Sequence, residues 1–302
     1  MKTLRVGIVN AATPTPLTAD GACDSASAKK LCRRWMDMAL DGVLLLGSMG
    51  EGLLLSDAAR NDFVETALQE AADRLTLFVS AADSSRARML ERARRYAAMG
   101  AHCVVLCLPP KTSVARAIAD VKAVAEACPA PCAYYDTPEN TGTPLALDEM
   151  MDVLSHPNIR VCKDSSNNAL IAHLLTDPAR RPAGVTLLDG VEYRTPWSRA
   201  VGYDGVLHGG GVLTGRWVRR IWQAADEGRM EEAVEMDRAK ARFLAQVYNR
   251  FGRPLQNTAG QKYALKLLGA MDSDAVAVDQ SLDDAARARV RVAVETNREQ
   301  LQ

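Results

Sequence analysis

Short, continuously apolar runs alternate with amphipathic stretches along the first two-thirds of the chain. Val6–Val9, Gly42–Leu46, Leu75–Val79, His102–Leu108 and Pro131–Tyr135 have the length and apolar continuity of strands buried on both faces, as do Ile159–Lys163, Val185–Leu188 and Gly205–His208. Between them, Ala26–Leu40 sets Leu31, Trp35 and Met38 on one helical face, and Ser56-Asp57 resembles a helix start running to about Ala72. Further helices are expected over Ala87–Met99 and Val114–Ala127 and from about Leu147, with a loop of turn residues after Tyr135. Helical patterns also separate the last three strands. Eight strands alternating with helices over about 210 residues predict an α/β chain folded as a (β/α)8 TIM barrel rather than an open doubly wound sheet. No Gly-x-Gly-x-x-Gly follows the first strand, which weakens a dinucleotide-binding alternative.

From Arg216 onward only helical patterns remain, over Val218–Ala225, Met230–Phe251, Gln261–Leu268 and Asp283–Thr296. The expected organisation is therefore a catalytic barrel over 1–215 and an all-helical C-terminal extension over 216–302 packed on it.

Composition narrows the partners. The 302 residues carry 37 basic and 37 acidic side chains, and no block of like charge, so nucleic acid and anionic membrane surfaces are not expected partners. A small anion needs only local positive groups and stays possible. The seven cysteines are scattered, mostly in apolar runs, which predicts reduced core thiols in a cytoplasmic protein. The apolar run Leu4–Val9 is too short for a signal peptide, and no run reaches transmembrane length.

In such a barrel the strand ends and the loops after them form the reactive face. Those positions hold Gly47-Ser-Met-Gly-Glu51, Pro109-Pro-Lys111, Tyr135 followed by Asp136-Thr-Pro-Glu-Asn-Thr-Gly142, Lys163, Asp189-Gly-Val-Glu192, and His208-Gly-Gly-Gly211. An amine at the end of an apolar strand is partly stripped of water, which disfavours its charged form and suits a nucleophile toward a ketone. Alone, Lys163 also fits a surface lysine closing a strand, Tyr135 a barrel-mouth aromatic with one structural hydrogen bond, and Gly47–Glu51 a plain tight turn. Together on one face they suit imine chemistry: the lysine attacks, the phenol shuttles protons, and the glycine-flanked turn offers backbone N–H groups to a carboxylate.

These motifs resemble the dihydrodipicolinate synthase / N-acetylneuraminate lyase family of Schiff-base, class I lyases. Gly47–Glu51 resembles the family's Gly-[Thr/Ser]-Thr-Gly-Glu motif, Tyr135–Gly142 its Tyr-Asn-x-Pro-x-x-[Thr/Ser]-Gly motif, and Val161–Ser166 its Schiff-base lysine strand. Gly190, Gly205–Leu207 and Lys262–Gly269 also fit, so the resemblance covers nearly the whole chain. It implies that Lys163 forms the imine with pyruvate or another 2-oxo acid, that Tyr135 is the proton shuttle, and that Ser48 links it to solvent. It further implies that the amides of Ser48 and Met49 hold the carboxylate, that the Leu207 carbonyl faces the ketoacid, and that Ser165 borders the substrate. Glu192 falls where sugar-acid lyases of the family set an acid against substrate hydroxyls.

The departures carry information too. Met49 stands in place of a threonine, Lys111 lies near a tyrosine that many members supply across a dimer interface, and Asn140 stands where dihydrodipicolinate synthases carry an arginine for the second substrate's carboxylate. An asparagine lacks that charged fork. Among the histidines, only His208 is expected at the reactive mouth, as a substrate hydrogen-bonder or a structural residue, and one histidine does not make a metal site. The expectation is thus a metal-independent aldolase without a cofactor, cleaving or forming a 4-hydroxy-2-oxo acid from pyruvate and an aldehyde, in a dimer or tetramer. Dihydrodipicolinate synthesis, dehydration of a 2-oxo sugar acid, and a catalytically impaired 2-oxo acid binding barrel are the alternatives.

Overall fold

A computed structural model of the chain describes residues 4–110, 112–248, 254–277 and 282–301. Eight parallel strands close a barrel in sequence order: β1 Val9–Ala12, β2 Gly42–Leu45, β3 Thr76–Ser80, β4 Cys103–Leu106, β5 Cys132–Asp136, β6 Ile159–Asp164, β7 Thr186–Asp189 and β8 Gly205–His208. The barrel helices are α1 Ser25–Asp37, α2 Asp57–Ala71, α3 Arg86–Met99, α4 Val114–Ala127, the one-turn α5 Pro138–Thr141, α6 Leu147–Leu154, α7 Ala169–Thr176, α8 Thr195–Val201 and α9 Gly211–Asp226. Four more follow: α10 Met230–Val247, α11 Pro254–Leu267, α12 Asp284–Thr296 and α13 Arg298–Leu301. No described helix is long and apolar enough to cross a membrane.

Alternation along the strands divides two apolar layers. Ala12, Leu44, Phe78, Val105, Ala133, Val161, Leu188 and Leu207 fill the barrel interior, while Val9, Val43, Leu77, Val104, Tyr134, Cys162, Leu187 and Val206 pack outward against the helices. Helix starts follow cap chemistry: the side chains of Asp24, Ser56 and Asp283 accept N–H groups of the first turn of α1, α2 and α12. Six of the seven cysteines are buried, Cys23 is half-buried, and all are free thiols.

The structure corrects the sequence expectations in three places. The first strand is Val9–Ala12, not Val6–Val9. Asn10 breaks the apolar run in sequence, yet it is fully buried because its Nδ2 donates to the carbonyls of Gly7 (2.8 Å) and Val206 (3.1 Å), bridging the seam where β1 meets β8. The helix expected from Val218 starts at Gly211, so the expected boundary at residue 215 falls inside α9. Gly211 and Gly215 argue against helix in sequence. Here they let it approach: a Cβ would sit 2.6 Å from Ala11 Cβ at position 211 and 2.6 Å from the Met38 carbonyl oxygen at position 215. The loop after β5 contains α5, started by Pro138 and ended by Gly142 with φ 71°. Phe251, the expected end of α10, lies outside the described residues.

Candidate active site

Lys163 and Tyr135 are register partners in the β5–β6 ladder, and alternation directs both into the barrel near its C-terminal mouth. Both are buried, and Lys163 Nζ stands over the face of the Tyr135 ring, 4.1 Å from its centroid. Gly190, after β7, leaves room for the lysine: a Cβ there would lie 3.0 Å from Lys163 Cε and 2.0 Å from Ser165 Oγ. The Ser165 N–H donates to the Asp136 carbonyl (2.9 Å), which fixes the chain just past the lysine.

The turn after β2 is built by strained backbone. Leu46 (φ 59°) and Glu51 (φ 54°) are left-handed, and Gly52 is required because a Cβ would meet the Leu46 carbonyl oxygen at 1.9 Å. Within it the N–H groups of Glu51 and Gly52 bond back to the carbonyls of Ser48 and Gly47, whereas those of Ser48 and Met49 form no hydrogen bond among the described residues. Two adjacent free amides are suited to a carboxylate. The Ser48 hydroxyl accepts from Asn140 Nδ2 (2.9 Å), which also donates to Thr137 Oγ1 (2.7 Å), so α5 closes over this turn. No hydrogen bond joins Ser48 to Tyr135 here. Lys111 lies outside the described residues.

Glu192, after β7, is buried and accepts from the Gly210 N–H (2.7 Å) and the Tyr248 hydroxyl (2.8 Å). Burial raises its pKa, opposed by those two donors and by the charges of Lys240 and Lys163. Its Oε1 lies 3.5 Å from where a Cβ would be on Gly209, and Met49 Cε lies 3.3 Å from the same point. Leu207 faces the barrel interior, and alternation turns its neighbour His208 to the opposite face of the sheet. His208 is fully buried with neither ring nitrogen bonded, and burial, then the charges of Lys240, Lys163 and Arg194, hold its pKa well below the usual imidazole value. It is thus a neutral imidazole behind the mouth rather than a side chain lining it. Among the described residues no group of three or more His, Cys, Asp or Glu could hold a metal ion.

Two parts of the site escape the sequence reading. Behind the reactive pair, Asp136 and Asp164 form the next rung of the same ladder and face outward, both buried. Tyr134 donates to Asp136 (3.1 Å) and Tyr203 to Asp164 (2.5 Å). Burial and the neighbouring Asp164 push the Asp136 pKa up to about 7. The second is α11, which ties the loops together. Lys262 Nζ bonds Glu51 (2.5 Å) and the Ala275 carbonyl (2.7 Å), both side chains of the pair being fully buried; Thr258 reaches the Met49 carbonyl (3.3 Å), and Gln261 the Gly209 carbonyl (2.9 Å). The sequence signal was present as polar residues at helical spacing, Thr258 with Lys262 and Asn257 with Gln261. The expected helix began only at Gln261, so the turns before it, with Asn257 and Thr258, were missed behind Gly260; a Cβ there would strike the Val247 carbonyl oxygen at 1.8 Å.

The chain is similar to known proteins over most of its length. The model of the dihydrodipicolinate synthetase family matches residues 6–295. The 4-hydroxy-tetrahydrodipicolinate synthase of Corynebacterium aurimucosum is 28% identical over 249 residues, covering 82% of this chain and 81% of that protein. The protein of the same name from Stenotrophomonas maltophilia (strain R551-3) is 30% identical over 217 residues, covering 71% and 72%. Among solved structures, a Clostridium difficile protein crystallised in complex with mannosamine superposes with a TM-score of 0.88 over 97% of this chain and 99% of that one, at 14% identity, a likeness of fold.

Proposed function

Because the chain belongs to the dihydrodipicolinate synthetase family, whose members are class I, carbon–carbon bond-handling enzymes, we propose that it is a Schiff-base aldolase that cleaves or forms a 4-hydroxy-2-oxo acid, with pyruvate and an aldehyde on the other side. The observation that carries this reading is the Lys163–Tyr135 pair on adjacent strands, an amine over a phenol inside an apolar barrel. The unprotonated Lys163 amine adds to the C2 carbonyl, and water leaves to give an iminium. Tyr135 gives its proton to the departing water, and the phenolate so formed takes the proton of the C4 hydroxyl as the C3–C4 bond breaks, the electron pair of that bond moving toward the iminium nitrogen. The aldehyde departs, the remaining enamine takes a proton at C3, and hydrolysis returns pyruvate and the free amine. The iminium is the electron sink, so the chemistry calls for no separate cofactor.

The other site residues have positioning roles. The free amides of Ser48 and Met49 hold the substrate carboxylate, Ser165 and the Leu207 carbonyl border the bound ketoacid, and Glu192 accepts from hydroxyls of the aldehyde half. Synthesis of 4-hydroxy-tetrahydrodipicolinate is the second reading, favoured by the names of the relatives. It requires a grip on the carboxylate of aspartate semialdehyde, where Asn140 offers a neutral amide already shared with Ser48 and Thr137. Purified enzyme assayed against a panel of 4-hydroxy-2-oxo sugar acids should release pyruvate and an aldehyde in equal amounts. Loss of water without an aldehyde would instead establish a dehydratase, and turnover confined to pyruvate plus aspartate semialdehyde would establish the synthase.

A further inference from the structure

We propose that Cys128 and Cys132 form an oxidation site, at which a hydroperoxide converts the two thiols to an intrachain disulfide. The reaction at Lys163 plays no part in it. Cys128 closes α4 and Cys132 opens β5, so the pair sits at the far end of the strand that carries Tyr135. Only Pro129-Ala-Pro131 separates them, and the two prolines fix φ on either side of Ala130, which leaves the segment little freedom to part the thiols. Neighbouring strands hold it as well. The Val104 N–H donates to the Pro131 carbonyl (2.9 Å) and the Cys132 N–H to the Asn158 carbonyl (2.8 Å). Asn158 Nδ2 reaches the carbonyls of Ala125 (2.8 Å), Cys128 (3.1 Å) and Ala130 (3.0 Å) and the sulfur of Cys132 (3.8 Å). So held, the two thiols are hydrogen-bonded to each other.

The surroundings also set the order of events. Burial raises the pKa of Cys23, Cys32, Cys103, Cys107 and Cys162, which keeps those thiols protonated and inert. Cys128 alone of the seven is lowered, because its sulfur accepts from the Cys132 thiol, with burial opposing; the same bond, then burial, raises Cys132. Cys128 keeps 6% of its surface exposed and Cys132 none, so the small oxidant meets Cys128 first. The Cys128 thiolate attacks one peroxide oxygen, the O–O bond breaks, and the other oxygen leaves as alcohol or water after taking a proton. The sulfenic acid left on Cys128 is then attacked by the Cys132 sulfur; the S–O bond breaks, and hydroxide leaves as water with the Cys132 proton. Two electrons pass from the dithiol to the peroxide, so the reaction balances without another reactant.

The test treats native wild-type protein with a small molar excess of hydrogen peroxide, then denatures it, alkylates the remaining thiols and maps tryptic peptides by mass spectrometry. One peptide, residues 123–160, contains Cys128 and Cys132 and no other cysteine. It should lose two hydrogens, take up no alkylating reagent and regain both thiols on reduction, at a dose that leaves Cys32, Cys103, Cys107 and Cys162 alkylated. In Cys132→Ser the reaction should stop at a sulfenic acid on Cys128, captured by dimedone, and Cys128→Ser should slow oxidation of the peptide by about tenfold or more. A wild-type peptide that keeps both thiols at that dose, which needs no variant to fold, overturns the proposal. So does a bond from either residue to Cys103, or a folded Cys128→Ser protein whose Cys132 is oxidised as fast as in wild type.

Discussion

Lys163 lies directly across the β5–β6 ladder from Tyr135, with its amine 4.1 Å from the centre of the phenol ring. Parallel strands about 4.8 Å apart set this closeness by register alone, without a flexible loop. The ring face lies against the amine and leaves the hydroxyl free for proton transfer. Tyr135→Phe keeps the packing and removes only the proton carrier, so kcat should fall by about 100-fold or more while thermal stability changes little. A loss within a few-fold would show that another group carries the proton.

Gly190 tests how tightly the amine is placed. An alanine Cβ would lie 2.0 Å from Ser165 Oγ and 3.0 Å from Lys163 Cε, so Gly190→Ala must push the lysine or the strand end aside. Activity should drop by at least tenfold with a measurable fall in Tm. Wild-type kinetics in this variant would mean that the position of Lys163 tolerates shifts of the order of an ångström.

The Glu51–Lys262 ion pair joins the carboxylate-holding turn to α11, and both side chains are fully buried. Burial disfavours the charged form of Lys262, and Glu51 opposes that by charge and hydrogen bond. Lys262→Met leaves the Glu51 carboxylate buried without a cation, which should cost about 3–5 kcal/mol in chemical denaturation. Adding Glu51→Gln should recover part of that loss. Strictly additive losses in the double variant would show that the two residues are not coupled.

Asp136 gives the protein a pH dependence. Its pKa rises from 3.8 to about 7 through burial and the neighbouring Asp164, so the folded state binds the proton more tightly than the unfolded chain does. Stability from this group is fully present below about pH 4 and is lost as the pH rises toward 7. Tm should therefore decline between about pH 5 and pH 8, and Asp136→Asn should flatten that decline. Asp189 and Glu192, also raised by burial, tilt the profile the same way, so the readout is the difference between wild type and variant. Parallel profiles would remove Asp136 as the cause.

The barrel was legible in the sequence because strands buried on both faces leave unbroken apolar runs, and β8 falls where the pattern put it. β1 slipped by three residues because a buried asparagine with bonded amide hydrogens looks polar in sequence. The start of α9 was hidden by glycines whose role is close packing, Gly211 on β1 and Gly215 on Met38 and Leu40. Within the site, residues at strand ends could be found by position, which brought out Lys163, Tyr135 and the turn at Ser48. His208 shows the limit of that method: a side chain one residue past Leu207 points to the other face of the sheet. Tyr248, Thr258 and Gln261 were not legible as site residues because the C-terminal helices reach the mouth through tertiary packing, and helical spacing of polar residues does not say which loops they will meet.

The central claim is a covalent bond between Lys163 and a ketone carbon. Incubating wild-type protein with pyruvate and borohydride, then mapping peptides by mass spectrometry, should reveal a reduced pyruvate adduct on the peptide containing Lys163, and none in Lys163→Ala. Wild-type protein that remains unmodified under saturating pyruvate, or an adduct on a different lysine, would contradict the account.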